Sequence, residues 1–310
     1  MSSGGAKLRA AALSVISNSA LILLKAVAAS ITGSVAILTE AVHSSIDLVA
    51  SIVAFASVRK AGEPADESHR YGHERFENLA AAFEGILILV GSAVISFEAI
   101  RRLISPGHLE SLPVGWAVIA VSLLVNVVVS TVIARNARVS GSPALEGDAA
   151  HLRTDALTSG AVLIGLVLVK VTGAQWLDPA VALGVAAVIL ITGVRLLTRA
   201  SQVLVDTSLP REEVEDIRGV LESFAARGVV GYHELRTRRA GTRRYVDLHL
   251  QFQEGTSLED AHRVAHEIEQ EIGGRLPSTD VLIHLEPEDR VRPGERLQRA
   301  YGRVRSHERR

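Results

Sequence analysis

The sequence has 310 residues, no cysteine and a formal net charge of −1 at pH 7. The lack of cysteine excludes a disulfide framework. It also leaves no thiolate to bind a soft ion, so copper(I) is a poor candidate for a bound ion. The near-neutral charge gives no indication of nucleic-acid binding.

The first two thirds of the chain consist of long apolar runs, whereas the last hundred residues are densely charged. Six of these runs reach the roughly 20 residues that a helix needs to cross a bilayer. They lie near residues 10–30, 34–58, 78–104, 112–134, 145–171 and 177–198. The sequence therefore predicts a six-helix transmembrane domain over residues 1–205.

Lysine and arginine are concentrated in alternate connections between the predicted spans. Because these residues favour the cytoplasmic side of a membrane, their distribution predicts a cytoplasmic N-terminus. Arg101 and Arg102 fall on the outer side and go against the rule. An even number of spans then places the C-terminal domain in the cytoplasm too, in a multi-pass protein of the cell (inner) membrane.

A small cytoplasmic domain is predicted after the sixth span, over residues 206–290. Its start is marked by Leu209 and Pro210, which we expect to end the sixth helix. Apolar residues then recur at helical spacing as far as Phe224, which indicates an amphipathic helix. Residues 229–238 and 243–253 are two extended runs that flank Ala240 and Gly241, and the second run alternates in polarity, as in a half-buried hairpin.

The second half of this domain adds a helix and a strand. Ser257 begins the helix as its cap, Gly273 and Gly274 are expected to close it, and residues 281–286 form the strand. The resulting order, αββαβ, is that of a ferredoxin-like or metallochaperone-like domain. The arginine-rich tail, residues 291–310, is expected to be disordered.

Two matching polar motifs interrupt the apolar runs: His43 with Asp47, and His151 with Asp155. Residues four apart share one face of a helix, so each H-x-x-x-D motif offers an imidazole nitrogen and a carboxylate oxygen from adjacent turns. Spans two and five run in opposite directions, and the motifs can therefore face each other around a midplane site. Two nitrogens and two oxygens suit a tetrahedral divalent ion of the zinc type.

The second of these motifs has to enter the membrane. The fifth span is purely apolar only from Ala156 to Val169, which is too short to cross about 30 Å of hydrocarbon at about 1.5 Å per residue. Ionisable residues at that depth are costly unless paired, hydrated or metal-bound, and they are usually functional. Glu40 and Asp148, three residues before each histidine, are either partners of the ligands or vestibule charges, and we favour the second interpretation.

The six spans, the two motifs and the αββαβ domain together resemble the cation diffusion facilitator family of divalent-metal/proton antiporters. The resemblance covers nearly the whole length, includes the segments Gly33–Leu38 and Pro64–His73, and is strongest to bacterial zinc- and iron-efflux members. It implies a homodimer that exports Zn²⁺ from the cytoplasm in exchange for protons. Some of those members carry aspartate where this chain has His43, and the histidine version resembles the more zinc-selective ones. The implied transport site consists of His43, Asp47, His151 and Asp155.

The same resemblance implies two further metal sites. One lies on the loop after the second span, where the spacing alone also gives a plausible chelate. The other lies in the cytoplasmic domain, where relatives bind zinc at the dimer interface and often carry aspartate in place of Glu286. His266 and Asp247 are additional candidates there. The loop set is Asp66, His69 and His73, and the domain set is His233, His249, His262, His284 and Glu286.

Three other functions stay open at this stage. The same transporter type could act on Mn²⁺, Fe²⁺, Co²⁺, Ni²⁺ or Cd²⁺, although the imidazole ligands argue against manganese. A membrane-bound metal sensor would need no ligands at the midplane. An intramembrane metalloprotease would need a general base and an open coordination position, and the sequence has no H-E-x-x-H motif. We therefore predict a transporter and not an enzyme.

Overall fold

The computed structural model describes residues 3–104 and 113–288. The chain divides into two compact units, Met1–Val205 and Asp206–Arg310. Within the described residues, the first unit is all helical and the second is a small α/β unit. The tail at residues 291–310, for which disorder is predicted, lies outside the described residues.

The first unit contains six helices that are long and apolar enough to cross a membrane. Each has 27 to 30 residues, so at about 1.5 Å per residue each exceeds the thickness of the hydrocarbon layer. The prediction of six membrane-spanning helices is confirmed. They are α1 (Ser3–Thr32), α2 (Val35–Ala61), α3 (Arg75–Ile104), α4 (Pro113–Ser140), α5 (Pro143–Thr172) and α6 (Leu177–Leu204).

Short caps position the two helices that carry the H-x-x-x-D motifs. Ser34 caps α2 by accepting a hydrogen bond from the backbone N–H of Ile37, and Ser142 caps α5 in the same way through Leu145. Gly173, in the left-handed conformation at φ 72°, ends α5. These caps fix where each helix begins, and hence the depth at which its motif lies.

The N-terminal ends of α1, α3 and α5 are joined by one buried acid. Glu77 of α3 accepts hydrogen bonds from the Lys7 Nζ of α1, at 3.0 Å, and from the Ser142 hydroxyl that precedes α5. All three groups are largely shielded from solvent, so salt screens the interaction less than it screens a surface ion pair. This end of the bundle is therefore closed by polar contacts.

Helix contacts in the bundle depend on small residues, as is usual where helices pack in lipid. Gly147 of α5 lies against α3 so closely that an added Cβ would stand 3.2 Å from Ala81 Cα and from Glu84 Cβ and Cγ. Gly193 of α6 makes a similar close approach to Ile88 of α3. α3 is thus held between α5 and α6.

The second unit has the predicted αββαβ order, and this fold prediction is confirmed. Its sheet has the order β1-β2-β3, with β1 and β2 antiparallel and β2 and β3 parallel. The two helices pack on one face of the sheet and bury residues such as Ile217, Leu248 and Ile268 between the layers. The elements are α7 (Arg211–Ser223), a short 3-10 turn (Ala225–Arg227), β1 (Val229–Ala240), β2 (Arg243–Phe252), α8 (Leu258–Arg275) and β3 (Thr279–Pro287).

Two helix ends differ from the prediction. α6 ends at Leu204, before Leu209 and Pro210, and Asp206 then adopts a positive φ of 57° that a continuing helix does not allow. α8 continues through Gly273 and Gly274 to Arg275, because Ile272 and other apolar residues of the same helix face remain buried in the core.

Glu213 connects α7 to the hairpin. Its two carboxylate oxygens accept hydrogen bonds of 2.8 Å from Arg239 Nη2 and Arg244 Nε. The hydrogen bond from Arg244 holds the pKa of this carboxyl below its ordinary value of 4.5. The ion pair therefore stabilises the folded unit at neutral pH.

We expect Glu213→Gln to lower the free energy of unfolding by about 1 kcal/mol at pH 7, since the group is partly exposed. The folded-state pKa is lowered, so the stabilisation is complete above pH 4.5 and is lost as pH falls through the folded-state value. Thermal unfolding followed by circular dichroism at pH 7 and pH 3 measures the difference. Glu212→Gln, at an exposed neighbour, is the control; equal losses in both variants would contradict the role of the pair.

Candidate metal centre

The two H-x-x-x-D motifs lie opposite each other on α2 and α5. His151 Nε2 is 3.2 Å from Asp47 Oδ1 and 3.8 Å from Asp155 Oδ2, and His43 Nε2 is 4.0 Å from the same Asp47 oxygen. One ligand atom from each of His43, Asp47 and Asp155 lies within 4.8 Å of the other two. The structure thus brings all four side chains to one place between two antiparallel helices.

The four side chains are unequally exposed. Asp47 and His151 are 8% and 9% exposed, whereas Asp155 is 18% and His43 is 58% exposed. Because the helices are antiparallel, the two more exposed residues lie toward the same end of the bundle, the end where α2 starts and α5 stops. The group is therefore more exposed at this end than at the other.

Asp148 lies on α5 on the other side of His151, toward the less exposed end of the group. Its assignment as a vestibule charge is wrong. Its Oδ1 accepts hydrogen bonds from Ser14 at 2.8 Å and from Ser51 at 3.4 Å, and Asn18 Nδ2 donates to Ser51 Oγ at 2.7 Å. The residue is fully buried. Its partners come from α1 and α2, which explains why the local sequence of α5 does not reveal them.

Glu40 lies on α2 before His43, toward the more exposed end of the group, and is itself half-exposed. It accepts a hydrogen bond of 3.1 Å from Lys25 Nζ, which also donates to Ser44 Oγ at 2.8 Å. Lys25 itself is buried, although no motif in the sequence assigns it a role. The available signal was a lone lysine within an apolar run, since such residues are paired or functional inside a membrane.

Glu84 is a second residue near the site that belongs to no sequence motif. It is fully buried in α3, and its Oε2 lies 3.3 Å from His151 Nδ1, on the side of the ring opposite the other ligands. The available signal was again an ionisable side chain inside an apolar run, here the run at residues 78–104.

The loop after α2 brings together the three residues predicted there. His73 Nε2 lies 3.1 Å from Asp66 Oδ2, and His69 Nδ1 lies 3.5 Å from Asp66 Oδ1. The hydrogen bond from the backbone N–H of His69, with a second from Ser68, holds the pKa of Asp66 below its ordinary value. His73 is buried, whereas the other two are exposed. The loop thus presents an ionised carboxylate and two imidazoles at chelating distance.

In the second unit, strand register places three histidines side by side. His233 of β1 pairs with His249 of β2, which pairs with His284 of β3. Glu286 lies two residues after His284 on the same strand face. Its Oε2 lies 2.8 Å from His233 Nε2, and its Oε1 lies 2.8 Å from His249 Nδ1. The hydrogen bond with His233, and to a smaller extent the one with His249, lowers the pKa of Glu286 to about 2.

The remaining predicted residues of this unit lie around that cluster. His284 Nε2 is 3.9 Å from Glu286 Oε1, at the edge of the group. Asp247 lines a small cavity next to His249 and His284. His262 lies on the exposed surface of α8, outside the three-residue cluster, and its role stays a prediction. His266 is exposed on α8, where it contacts Glu269 and Gln270 of its own helix.

Comparison with known proteins gives the same division of the chain. The family model described as the cation efflux transmembrane domain matches residues 11–205, and the one described as the cation efflux protein cytoplasmic domain matches residues 209–288. The transporter sll1263 of Synechocystis is 35% identical over 264 residues, which is 85% of either chain. The cation-efflux pump FieF of Citrobacter koseri is 35% identical over 279 residues, covering 90% of this chain and 92% of its own.

Among solved structures, the zinc form of CzrB, a candidate zinc transporter, covers 28% of this chain and 98% of its own length at 38% identity, with a TM-score of 0.27. The two family models together account for both structural units, and the curated relatives align over nearly their whole length. The chain therefore belongs to the cation efflux family, the cation diffusion facilitators, and is a multi-pass membrane transporter of cations and not an enzyme.

Proposed function

We propose that this chain exports divalent metal, most suitably Zn²⁺, from the cytoplasm in exchange for protons. The observation that carries the proposal is the convergence of His43, Asp47, His151 and Asp155, with nitrogen to oxygen distances of 3.2 to 4.0 Å. Two helices can pack in a membrane without buried ionisable groups. The free-energy cost of desolvating these four side chains is therefore better explained by ion binding than by packing. The transported ion occupies the place where these four groups meet.

The donor set favours zinc. Two imidazoles and two carboxylates match the four-coordinate nitrogen and oxygen sites that Zn²⁺ prefers, whereas Mn²⁺ prefers oxygen-rich octahedral sites. Fe²⁺, Co²⁺, Ni²⁺ and Cd²⁺ are the alternative substrates of the same site.

Proton coupling follows from the chemistry of the ligands. Metal binding needs neutral imidazole and ionised carboxylate, so a proton and a metal ion exclude each other at these groups. Imidazole is the side chain whose charge most readily changes within the physiological pH range. Protons from the more acidic outer side therefore displace the ion there, and arriving cytoplasmic metal displaces the protons.

The uneven exposure of the ligands fits an outward-facing state of an alternating-access cycle. With a cytoplasmic N-terminus, His43 and Asp155 are the outer ligands and are the more exposed pair. Asp47 and His151 are the inner, buried pair, and the contacts of Asp148 close the path beyond them. In the inward-facing state these contacts open and those near His43 close.

The cytoplasmic unit holds a second, resident zinc ion in this proposal and contributes to a homodimer in the cell (inner) membrane. His233, His249 and Glu286 fit the ion, because two imidazoles and an already ionised carboxylate meet within 4.8 Å. A bound ion there links all three strands. Asp66, His69 and His73 form a further site on the loop, and His262 and His284 are candidate additional ligands of the unit.

Asp47→Ala and Asp155→Ala are each expected to abolish zinc-driven proton flux. Each variant removes one of the two carboxylates of the transport site, and the remaining ligands cannot neutralise a dehydrated dication. The measurement uses purified protein in vesicles with a pH-sensitive dye inside, across a panel of divalent ions. Glu98→Ala, an exposed acid of α3, is the control; undiminished flux in either test variant would remove that residue from the site.

Glu286→Ala is expected to lower the zinc bound per chain by one equivalent, as measured by titration calorimetry, because His233 and His249 lose their shared carboxylate. Zinc at 100 times its Kd should stabilise the wild-type cytoplasmic unit by about 2.7 kcal/mol, and this gain should be absent in the variant. Asp280→Ala, an exposed acid on the same strand, should behave as wild type. An unchanged zinc count in Glu286→Ala would refute the site.

A further inference from the structure

Glu84 approaches the proposed transport site from a third helix, α3. It is fully buried, and its Oε2 lies 3.3 Å from His151 Nδ1. This approach is close but not aligned as a hydrogen bond, and within the described residues neither carboxylate oxygen of Glu84 nor the Nδ1 atom has another hydrogen-bond partner. Buried polar atoms generally form hydrogen bonds, and each of these two groups is the nearest available hydrogen-bond partner of the other.

The backbone of α5 is shaped to admit Glu84. Gly147 lies one turn before His151, and an added Cβ there would stand 3.2 Å from the Cβ and Cγ atoms of Glu84. The stem of the glutamate therefore fills the space of the missing side chain, and its carboxylate extends along α5 to the histidine ring. Asp148, a buried acid of α5 next to Gly147, instead accepts hydrogen bonds from Ser14 and Ser51.

The two nitrogens of His151 have different surroundings. Nε2 faces Asp47 at 3.2 Å and Asp155 at 3.8 Å, whereas Nδ1 faces Glu84. A neutral imidazole can offer a lone pair at Nε2 only if its proton is on Nδ1. A carboxylate that accepts this proton's hydrogen bond selects that tautomer and fixes the ring, as carboxylates do behind metal-bound histidines in general.

We propose that Glu84 is a positioning residue for His151. When the ion is bound, the carboxylate accepts a hydrogen bond from Nδ1–H, which is not formed in the present structure, and so directs the Nε2 lone pair toward the place shared with Asp47 and Asp155. The inference rests on the proposed function, because the orientation of the ring matters to transport only if His151 binds the ion. Glu84 itself does not touch the ion.

The test compares Glu84→Leu with Glu84→Gln in zinc uptake by vesicles. The leucine variant should raise the KM for zinc by about 10- to 100-fold, the loss typical when a carboxylate behind a metal ligand is removed. The glutamine variant should stay near the wild-type KM, because its amide oxygen can accept the same hydrogen bond. Ser92→Ala is the matched control, since it removes a buried hydrogen bond from α3 to Ala186 O on α6 without contacting His151.

A spectroscopic readout separates positioning from a general packing effect. With ¹⁵N-labelled histidine in zinc-loaded protein, the His151 signals are identified by their absence in His151→Gln. They should show zinc at Nε2 with the proton on Nδ1 in wild type and Glu84→Gln, and a mixture of coordination through Nε2 and Nδ1 in Glu84→Leu. If the leucine variant does not fold, Gly147→Ala, which displaces Glu84 from α5, should raise the KM. Gly160→Ala, on the same helix but with nothing within 4 Å of an added Cβ, should not.

The outcomes distinguish this inference from the proposed function. Wild-type vesicles that take up no divalent metal would overturn the proposed function, while the ¹⁵N spectra would still test the contact between Glu84 and His151. Wild-type uptake together with an unchanged KM in Glu84→Leu, or with the same zinc-binding nitrogen of His151 in both Glu84 variants, would overturn the positioning role.

Discussion

The membrane unit is organised by the cost of placing ionisable side chains below the surface of a bilayer. Such a group costs several kcal/mol unless it is paired, hydrated or bound to an ion. In this chain the partners are found on other helices: Asp148 is bonded by Ser14, Lys25 by Glu40, and Glu77 by Lys7. Each of these contacts connects two or three helices, so satisfying the charges also fixes the arrangement of the bundle.

The proposed transport site is where this satisfaction is incomplete. Its two carboxylates share one imidazole, His151 Nε2, and His43 approaches Asp47 only to 4.0 Å. A divalent cation supplies the positive charge that such a group lacks, and protons are the alternative. Competition between the two is the simplest physical basis for exchange, and it needs no further cofactor in the membrane.

The sequence predicts those parts of the structure that depend on local patterns. Six apolar runs give six helices, and a spacing of four residues puts each histidine on the same face as its aspartate, as for His43 and Asp47. The prediction fails where the partner is distant in sequence. The local sequence favours a vestibule charge at Asp148, because its bonding serines lie on α1 and α2, and no motif connects Glu84 with His151. In the second unit, strand register explains why His233, His249 and His284 lie together, but no local pattern relates the exposed His262 to them.

The most direct measurement of the central claim is X-ray absorption spectroscopy of zinc bound within the membrane unit. A chain carrying His69→Ala, His249→Ala and Glu286→Ala removes ligands of the other two clusters. We expect it to retain one zinc ion with four nitrogen and oxygen neighbours at about 2.0–2.2 Å, including two imidazoles. Zinc that is not retained, or that is surrounded by six oxygens without imidazole, would contradict the account.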